Sequence, residues 1–157
     1  MQIQETKETY ILFICKANVG RSQMAEGIYN HLYKSKRAKS IAGCEARKDL
    51  YAGKPAESIK DFMISYAGID ISSQKIQYLS DLSLDEINTI EEVIFLYDPT
   101  QETICEGECM RDGRSPYEYF KNRGISLRIF PVADPFLEGE NTYESIYASI
   151  DSLVRTL

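Results

Sequence analysis

Histidine, tryptophan and long apolar runs are scarce or missing in this sequence. Of 157 residues, one is histidine and none is tryptophan. With His31 as the only imidazole, histidine-rich metal sites and histidine-based catalytic triads are poorly supported, and we expect His31 to be a surface residue. The longest apolar run, Tyr10–Cys15, is far too short to span a bilayer. The sequence therefore predicts neither a metal centre nor a membrane partner.

Positive charge is also in short supply. The formal net charge is -6 and the isoelectric point lies near 4.9. Because binding to a phosphate backbone needs a basic face, nucleic acid is not an expected partner, and any anion must be held by a local set of donors. The apolar fraction of 43% and the charged fraction of 27% are ordinary for a globular protein.

Cysteine is sparse and unevenly spaced. Cys15, Cys44, Cys105 and Cys109 are too few for the disulfide framework of a small secreted protein, so each is a candidate core thiol, ligand or reactive group. The polar start of the chain, residues 1–9, is unlike a secretory signal. We therefore expect a cytoplasmic protein.

Short apolar runs alternate with helical stripes along the chain. The continuous β-prone runs at 10–15 and 92–97 are typical of strands buried on both faces, and 39–42 and 127–130 are weaker strand candidates. Three stripes with helical periodicity accompany them: Ala25, Ile28, Tyr29 and Leu32; Ile59, Phe62, Met63 and Tyr66; and Tyr143, Ile146, Tyr147, Ile150, Leu153, Val154 and Leu157.

This alternation predicts an α/β fold with three layers, α/β/α, around a four-stranded parallel sheet. The sequence contains no repeat or linker, so residues 1–157 are expected to form a single domain. Capping-box patterns predict helix starts at Ser83, with Glu86, and at Asn141, with Glu144. Ligands in such folds bind beyond the carboxyl ends of the strands.

Residues 15–22, with the sequence CKANVGRS, lie at that place, between the first strand and the first helix. A tight loop entering a helix can turn several N–H groups toward one anion. Arg21 adds a planar guanidinium that can grip two phosphate oxygens, and Asn18 and Gly20 tolerate unusual backbone angles. The loop therefore predicts a phosphate-binding site formed by its own residues: Lys16, Ala17, Asn18, Val19, Gly20, Arg21 and Ser22.

Cys15 is the candidate nucleophile of this loop. A thiol that faces a helix N-terminus and an arginine loses its proton more easily than a free thiol, and a thiolate under a phosphorus atom can form a covalent thiophosphate. Ser22 is placed to hydrogen-bond the sulfur. A buried core thiol is the alternative, but Arg21 in a first helical turn opposes the helix dipole unless an anion is bound. The glycine and lysine pattern of a nucleotide-binding loop is absent.

Cys15 and Arg21-Ser22, followed by Gln-Met-Ala-Glu-Gly at 23–27, closely resemble the low-molecular-weight protein tyrosine phosphatase family, which includes thiol-dependent arsenate reductases. The resemblance implies a cysteine-dependent phosphatase that hydrolyses phosphate monoesters, in particular protein phosphotyrosine, through a cysteinyl-phosphate. It implies a phosphorylated protein or a small phosphate ester as partner, inhibition by phosphate-like oxyanions, no cofactor, and a monomer or weak dimer.

Cleavage of a phosphate ester also needs a proton for the departing oxygen. Asp134-Pro135-Phe136 precedes the last helical stripe and matches the family's Asp-Pro-aromatic motif, in which the aspartate is the general acid. Without the Cys15 loop, a plain turn would be the preferred interpretation of Asp-Pro. The resemblance also implies that Phe136 forms an aromatic lip against the substrate ring. Asp98 is the next candidate acid.

The resemblance is uneven elsewhere. In the family, the asparagine matching Asn18 and a serine near the second turn stabilise the phosphate loop, and Ser40 is an approximate match to that serine. The segment 68–72 resembles the stretch after the family's second helix. Residues 44–53 and 99–125 match weakly, and since they shape the substrate entrance, specificity is left open.

Two activities fit this resemblance. Many members carry a second cysteine in the loop, where this chain has Gly20, whereas Cys105 and Cys109 lie where the family's arsenate reductases keep resolving thiols. Tyr97 occupies the place of a first resolving cysteine, which favours the phosphatase over the reductase. An anion-sensing module that keeps the loop without turnover is the third hypothesis, and the intact set of Cys15, Arg21 and Asp134 counts against it.

Overall fold

A computed structural model describes residues 8–101, 104–135 and 143–157. Within these residues, four strands form one parallel sheet with the order β2-β1-β3-β4. Its strands are β1 (Tyr10–Cys15), β2 (Ala38–Ala42), β3 (Ile90–Phe95) and β4 (Ser126–Ile129). All four lie within two residues of the predicted positions, and the predicted four-stranded parallel sheet is confirmed.

Helices cover the sheet on both sides. They are α1 (Arg21–Leu32), α2 (Glu57–Phe62), α3 (Leu84–Asn88), α4 (Pro116–Asn122) and α5 (Tyr143–Val154). A π-helical turn, Met63–Ala67, continues α2, and single 3-10 turns lie at Leu79–Asp81, Pro99–Gln101 and Gly107–Cys109. Within the described ranges, no helix is both long enough and apolar enough to cross a bilayer.

The central strand β1 divides the core into two halves. All of its residues are buried, and successive side chains point to opposite faces. Phe13 and Cys15 join a cluster that includes side chains of α1, α2 and α5, while Leu12 and Ile14 join a second cluster with side chains of α3 and α4. The three-layer arrangement follows, because both faces of the sheet must be covered.

The predicted helix starts have different outcomes. The capping box before α3 is confirmed, since the Ser83 hydroxyl accepts from the Glu86 amide at 3.1 Å and the Glu86 carboxylate accepts from the Ser83 amide at 3.2 Å. Asn141 lies outside the described residues. Helix α4 was not predicted, although Ser115 caps it and Pro116 occupies its first turn, which are ordinary start signals.

The parallel register brings the strand ends together at one edge. Cys15 pairs with Ala42 of β2, and Ile14 pairs with Phe95 of β3. The segments that follow β1, β2 and β3 therefore leave the sheet side by side. This edge holds the candidate site.

Candidate active site

The segment after β1 is a tight loop fixed from outside. The carbonyl oxygen of Cys15 accepts from the Gly43 amide at 2.7 Å, and that of Lys16 accepts from the amides of Cys44 at 3.0 Å and Glu45 at 2.9 Å. The carbonyl oxygens of Cys15 and Lys16 are therefore hydrogen-bonded to the segment that follows β2. Successive N–H groups that face the opposite way are the usual lining of an anion-binding nest.

Asn18 holds the loop from beneath. Its φ of 59° lies in the left-handed region, which asparagine tolerates better than most residues. Its side-chain oxygen accepts from the Gln77 amide at 2.9 Å, and its amide nitrogen donates to the hydroxyls of Ser22 at 2.7 Å and Ser40 at 2.8 Å. Gln23 adds a bond to the Asn18 carbonyl at 2.9 Å. The loop is thus internally braced by side chains that are fully or almost fully buried.

The sulfur of Cys15 lies 3.0 Å from the Ser22 hydroxyl oxygen. The Gln77 amide can only donate, so it fixes which end of the Asn18 side chain is the oxygen, and the nitrogen end must donate to Ser22. Ser22 then has its own hydrogen left to donate to Cys15. In this direction the Ser22 hydroxyl is a donor to the Cys15 sulfur.

Arg21 is buried at the opposite side of the loop, with 6% of its surface exposed. Its Nη1 donates to the carbonyl oxygen of Val132 at 2.9 Å and to that of Leu96 at 3.4 Å. Its Nη2 lies 3.7 Å from the carboxylate of Asp134. The guanidinium is therefore anchored by the segments that follow β3 and β4, and it joins the Asp134 segment to the loop.

These side chains share one cleft of about 280 Å³. Its lining consists of Cys15, Lys16, Ala17, Val19, Gly20, Arg21, Glu45, Arg47, Leu50, Tyr51, Asp134 and Pro135. The structure thus places the predicted nucleophile, arginine and acid around a single space. Asn18 and Ser22 lie beneath it rather than in its wall, and Phe136 lies outside the described residues.

Sequence reasoning missed part of the cleft wall. Arg47, Leu50 and Tyr51 belong to the weakly matching segment 44–53, and Leu50 is 75% exposed. Arg47 pairs with Glu106 at 3.2 Å, which ties this wall to the segment before Cys109. A short exposed stretch has no periodicity that reveals its neighbours, so only its contacts show that it borders the cleft.

The other cysteines are not among the residues that line the cleft. Cys44 and Cys109 are buried, Cys105 is half-buried, and no disulfide bond joins any of these described cysteines. Burial raises the pKa of the Cys109 thiol to about 12, and the nearby Cys44 and Cys105 add to this effect. No cluster of three or more potential metal ligands occurs in the parts of the chain that the structure describes. His31 is exposed on α1, as predicted.

The fold and the site define this chain as an α/β protein that has a parallel sheet and, at the carboxyl edge of that sheet, a cysteine and an arginine on one tight loop. The sequence model of the low molecular weight phosphotyrosine protein phosphatase family matches residues 10–157, and the chain belongs to this family. No curated protein sequence gives a significant match.

Solved structures resemble the fold over almost the full length. An arsenate reductase in the phosphate binding state has a TM-score of 0.65 at 21% identity, covering 94% of this chain and 95% of that chain. Vibrio vulnificus Wzb in complex with benzylphosphonate has a TM-score of 0.65 at 16% identity, with 96% and 97% covered. An arsenate reductase from Archaeoglobus fulgidus has a TM-score of 0.62 at 20% identity, with 93% and 96% covered. At these identities the likeness concerns the fold, and the similar structures include both arsenate reductases and a tyrosine phosphatase, that of Erwinia amylovora, with a TM-score of 0.61 at 15% identity.

Proposed function

We propose that this protein is a phosphatase that hydrolyses phosphate monoesters, in particular phosphotyrosine in proteins, through a cysteinyl-phosphate intermediate. The observation that supports this most directly is the meeting of Cys15, Arg21 and Asp134 around one cleft. A nucleophile, a cation and an acid are the three groups that the reaction requires.

In the first step, the Cys15 thiolate attacks phosphorus and the ester bond breaks. The departing oxygen takes the proton of the Asp134 carboxyl group, so that it leaves as an alcohol or phenol. The guanidinium of Arg21 and the loop N–H groups bind the non-bridging oxygens, whose charge they stabilise in the transition state.

In the second step, water attacks the cysteinyl-phosphate. Asp134, now a carboxylate, accepts a proton from the water, and the products are inorganic phosphate and the regenerated Cys15 thiolate. The hydrogen bond from Ser22, 3.0 Å from the sulfur, stabilises that thiolate as it leaves. Each residue is thereby returned to its starting state.

An aromatic phosphate ester suits the cleft wall. Tyr51 and the exposed Leu50 offer an aromatic and an aliphatic surface beside the loop, against which a phenyl ring can pack. Vibrio vulnificus Wzb, which shares the fold, was solved with benzylphosphonate, a ligand with an aromatic group. Phe136 is proposed as a further aromatic contact.

Hydrolysis of p-nitrophenyl phosphate by the wild type and by Cys15→Ser tests this proposal. We expect turnover in the wild type and none in Cys15→Ser, because serine is a far weaker nucleophile without a general base beside it. Cys105→Ser is the matched cysteine control, and it keeps its activity if the protein is a phosphatase. A Cys15→Ser protein with wild-type turnover would sink the mechanism.

Arsenate reduction is the second candidate function, since arsenate reductases share the fold and Cys105 and Cys109 lie in one segment. Arsenate would condense with Cys15 and release water. A second thiolate would then attack the Cys15 sulfur, so that two thiols become a disulfide and arsenic leaves as arsenite, reduced by two electrons.

The cysteine positions favour the phosphatase. Cys105 and Cys109 do not belong to the described lining of the cleft, and Cys109 is fully buried with a pKa of about 12. A reductase that used either thiol would have to move this segment, and one that used Cys109 would also have to ionise a buried thiol. Mass spectrometry after incubation with arsenate tests this: a Cys15 disulfide to either thiol without phosphatase turnover would make it a reductase. Tight phosphate binding with neither activity would make it an anion sensor.

We also propose that the reaction uses no metal or organic cofactor and takes place in the cytoplasm. The loop N–H groups and Arg21 can neutralise the phosphate without a cation. Treatment with a chelator should leave the rate of p-nitrophenyl phosphate hydrolysis unchanged, and a loss that added metal restores would contradict this.

A further inference from the structure

A chain of hydrogen bonds runs from Cys15 through the protein to the half-buried carboxyl group of Glu26. Cys15 contacts Ser22 at 3.0 Å, and Asn18 donates to Ser22 at 2.7 Å and to Ser40 at 2.8 Å. The Ser40 hydroxyl donates to the Glu26 carboxylate at 2.7 Å. Four short side-chain bonds therefore connect the loop to a residue that does not line the cleft.

The direction of these bonds is determined by one backbone group. The Gln77 amide fixes the orientation of Asn18, so the Asn18 nitrogen donates to Ser40 as well as to Ser22. Ser40 then has a single hydrogen left, and Glu26 is its acceptor. The same orientation aims the Ser22 hydrogen at Cys15. Glu26 therefore completes the bonding of the serine that supports Asn18.

We propose that Glu26 is a positioning residue for Cys15, which it influences through Ser40 and Asn18. The inference rests on the proposed function in that Cys15 is the nucleophile. An ionised carboxylate is the stronger acceptor for the Ser40 hydroxyl, because charge-assisted hydrogen bonds are about twice as strong as neutral ones. When Glu26 takes up a proton, the brace under the loop becomes weaker.

Protons can reach and leave Glu26 without passing through the substrate cleft. It borders a separate cavity of about 520 Å³, and none of the residues that line this cavity lines the cleft. The other titratable and charged groups around the cavity lie on three segments. They are His31 and Lys36, which follow Glu26 along the chain, Lys39 on β2, and Asp70 and Lys75 in the segment after α2. Lys39 is paired with Glu86, which weakens its influence on Glu26.

The pKa of Glu26 places this change near neutral pH. Burial raises it to about 7, although the Ser40 hydrogen bond and Lys39 act in the lowering direction. As pH falls through about 7, Glu26 becomes neutral. We therefore expect kcat to fall about fivefold as Glu26 is protonated. This is the size of effect that corresponds to changing one charge-assisted hydrogen bond into a neutral one.

Two measurements test the proposal. In the first, NMR follows the side-chain amide of Asn18 in isotope-labelled wild type between about pH 5 and pH 8. We expect its resonance to shift with a midpoint near the pKa of Glu26, which is about 7. The shift should be absent in Glu26→Gln, which keeps an acceptor oxygen but does not titrate, and much reduced in Ser40→Ala.

In the second measurement, kcat for p-nitrophenyl phosphate is recorded over the same range for the wild type, Glu26→Gln and Asp70→Asn. The ratio of Glu26→Gln to wild type should rise about fivefold as pH falls through neutrality. Asp70→Asn is the matched control: Asp70 borders the same cavity, but bonds from Ser72 hold its pKa below the usual range. Its profile should parallel that of the wild type.

The outcomes separate this inference from the proposed function. An Asn18 resonance that does not respond to pH in the wild type overturns the inference even if no variant folds. Parallel kcat profiles for the wild type and Glu26→Gln overturn it as well. If the Asn18 resonance titrates and depends on Glu26 while the wild type lacks phosphatase activity, the positioning inference stands and the phosphatase proposal fails.

Discussion

The Nη1 atom of Arg21 donates a hydrogen bond of 2.9 Å to the carbonyl oxygen of Val132, two residues before Asp134. Arg21 therefore has two proposed roles, since the side chain that is proposed to bind the phosphate also fixes the segment that carries the proposed acid. A substitution at Arg21 is therefore expected to affect both.

Arg21→Lys should lower kcat/KM for p-nitrophenyl phosphate by about a hundredfold or more, the usual cost of losing an oriented donor to a developing charge. Lysine keeps the charge, but it cannot grip two phosphate oxygens and also bond the carbonyl oxygens of Val132 and Leu96. Steady-state kinetics measures the loss. Arg155→Lys, on an exposed pair with Asp151, is the control and should behave as the wild type. Near-normal turnover in Arg21→Lys would refute the role.

Asp134→Asn should slow the release of poor leaving groups more than good ones. The amide cannot protonate the departing oxygen, and p-nitrophenolate needs that proton less than a tyrosine phenolate does. The measurement compares the rates of the wild type and of Asp134→Asn with p-nitrophenyl phosphate and with phosphotyrosine.

The control for Asp134 is Asp98→Asn. Asp98 accepts from the amide of Thr100 at 2.9 Å, and it does not belong to the described lining of the cleft. We expect this variant to keep the leaving-group dependence of the wild type. If Asp134→Asn slowed the hydrolysis of both substrates equally while Asp98→Asn behaved as the wild type, the proton would have to come from a residue other than Asp134.

Glu26→Gln should become more stable relative to the wild type as pH rises. The pKa of Glu26 is about 7 in the folded protein and about 4.5 without burial, so between these values the folded state holds more protons than the unfolded state. The wild type thus loses stability as pH rises through this window, by roughly 2 to 3 kcal/mol. Urea unfolding of both proteins at about pH 5 and pH 8 measures the difference. A constant difference would show that Glu26 titrates normally.

Gly43→Ala should destabilise the protein and impair the loop. A methyl group at this position would overlap the Tyr97 hydroxyl and lie 3.0 Å from an Ile14 methyl carbon. The Gly43 amide also donates to the Cys15 carbonyl at 2.7 Å, so a shift of this segment reaches the loop. We expect a loss of about 1 to 3 kcal/mol, typical of overpacking.

Gly107→Ala is the control for Gly43→Ala, because a methyl group there meets open space. Thermal unfolding and hydrolysis of p-nitrophenyl phosphate are measured for both variants. The overpacking account would be wrong if Gly43→Ala melted with the wild type or if Gly107→Ala lost as much stability.

The main features of the sheet could be predicted because they depend on neighbouring residues. The run Tyr10–Cys15 is apolar at every position, which is typical of a strand buried on both faces, and the structure buries all six residues. Helix α4 was missed because its buried side chains, Tyr119 and Phe120, give too short a pattern to distinguish from a loop. Its cap and proline were the available signal.

The sequence by itself determined the loop between β1 and α1, since Cys15 ends the strand and Arg21 begins the helix only six residues later along the chain. The tertiary structure decided what surrounds that loop. The Arg21 bond to Val132 crosses 111 residues, and the Glu26 bond to Ser40 depends on how α1 packs beside β2. Such contacts form between segments that are distant along the chain, and local residue patterns do not record them.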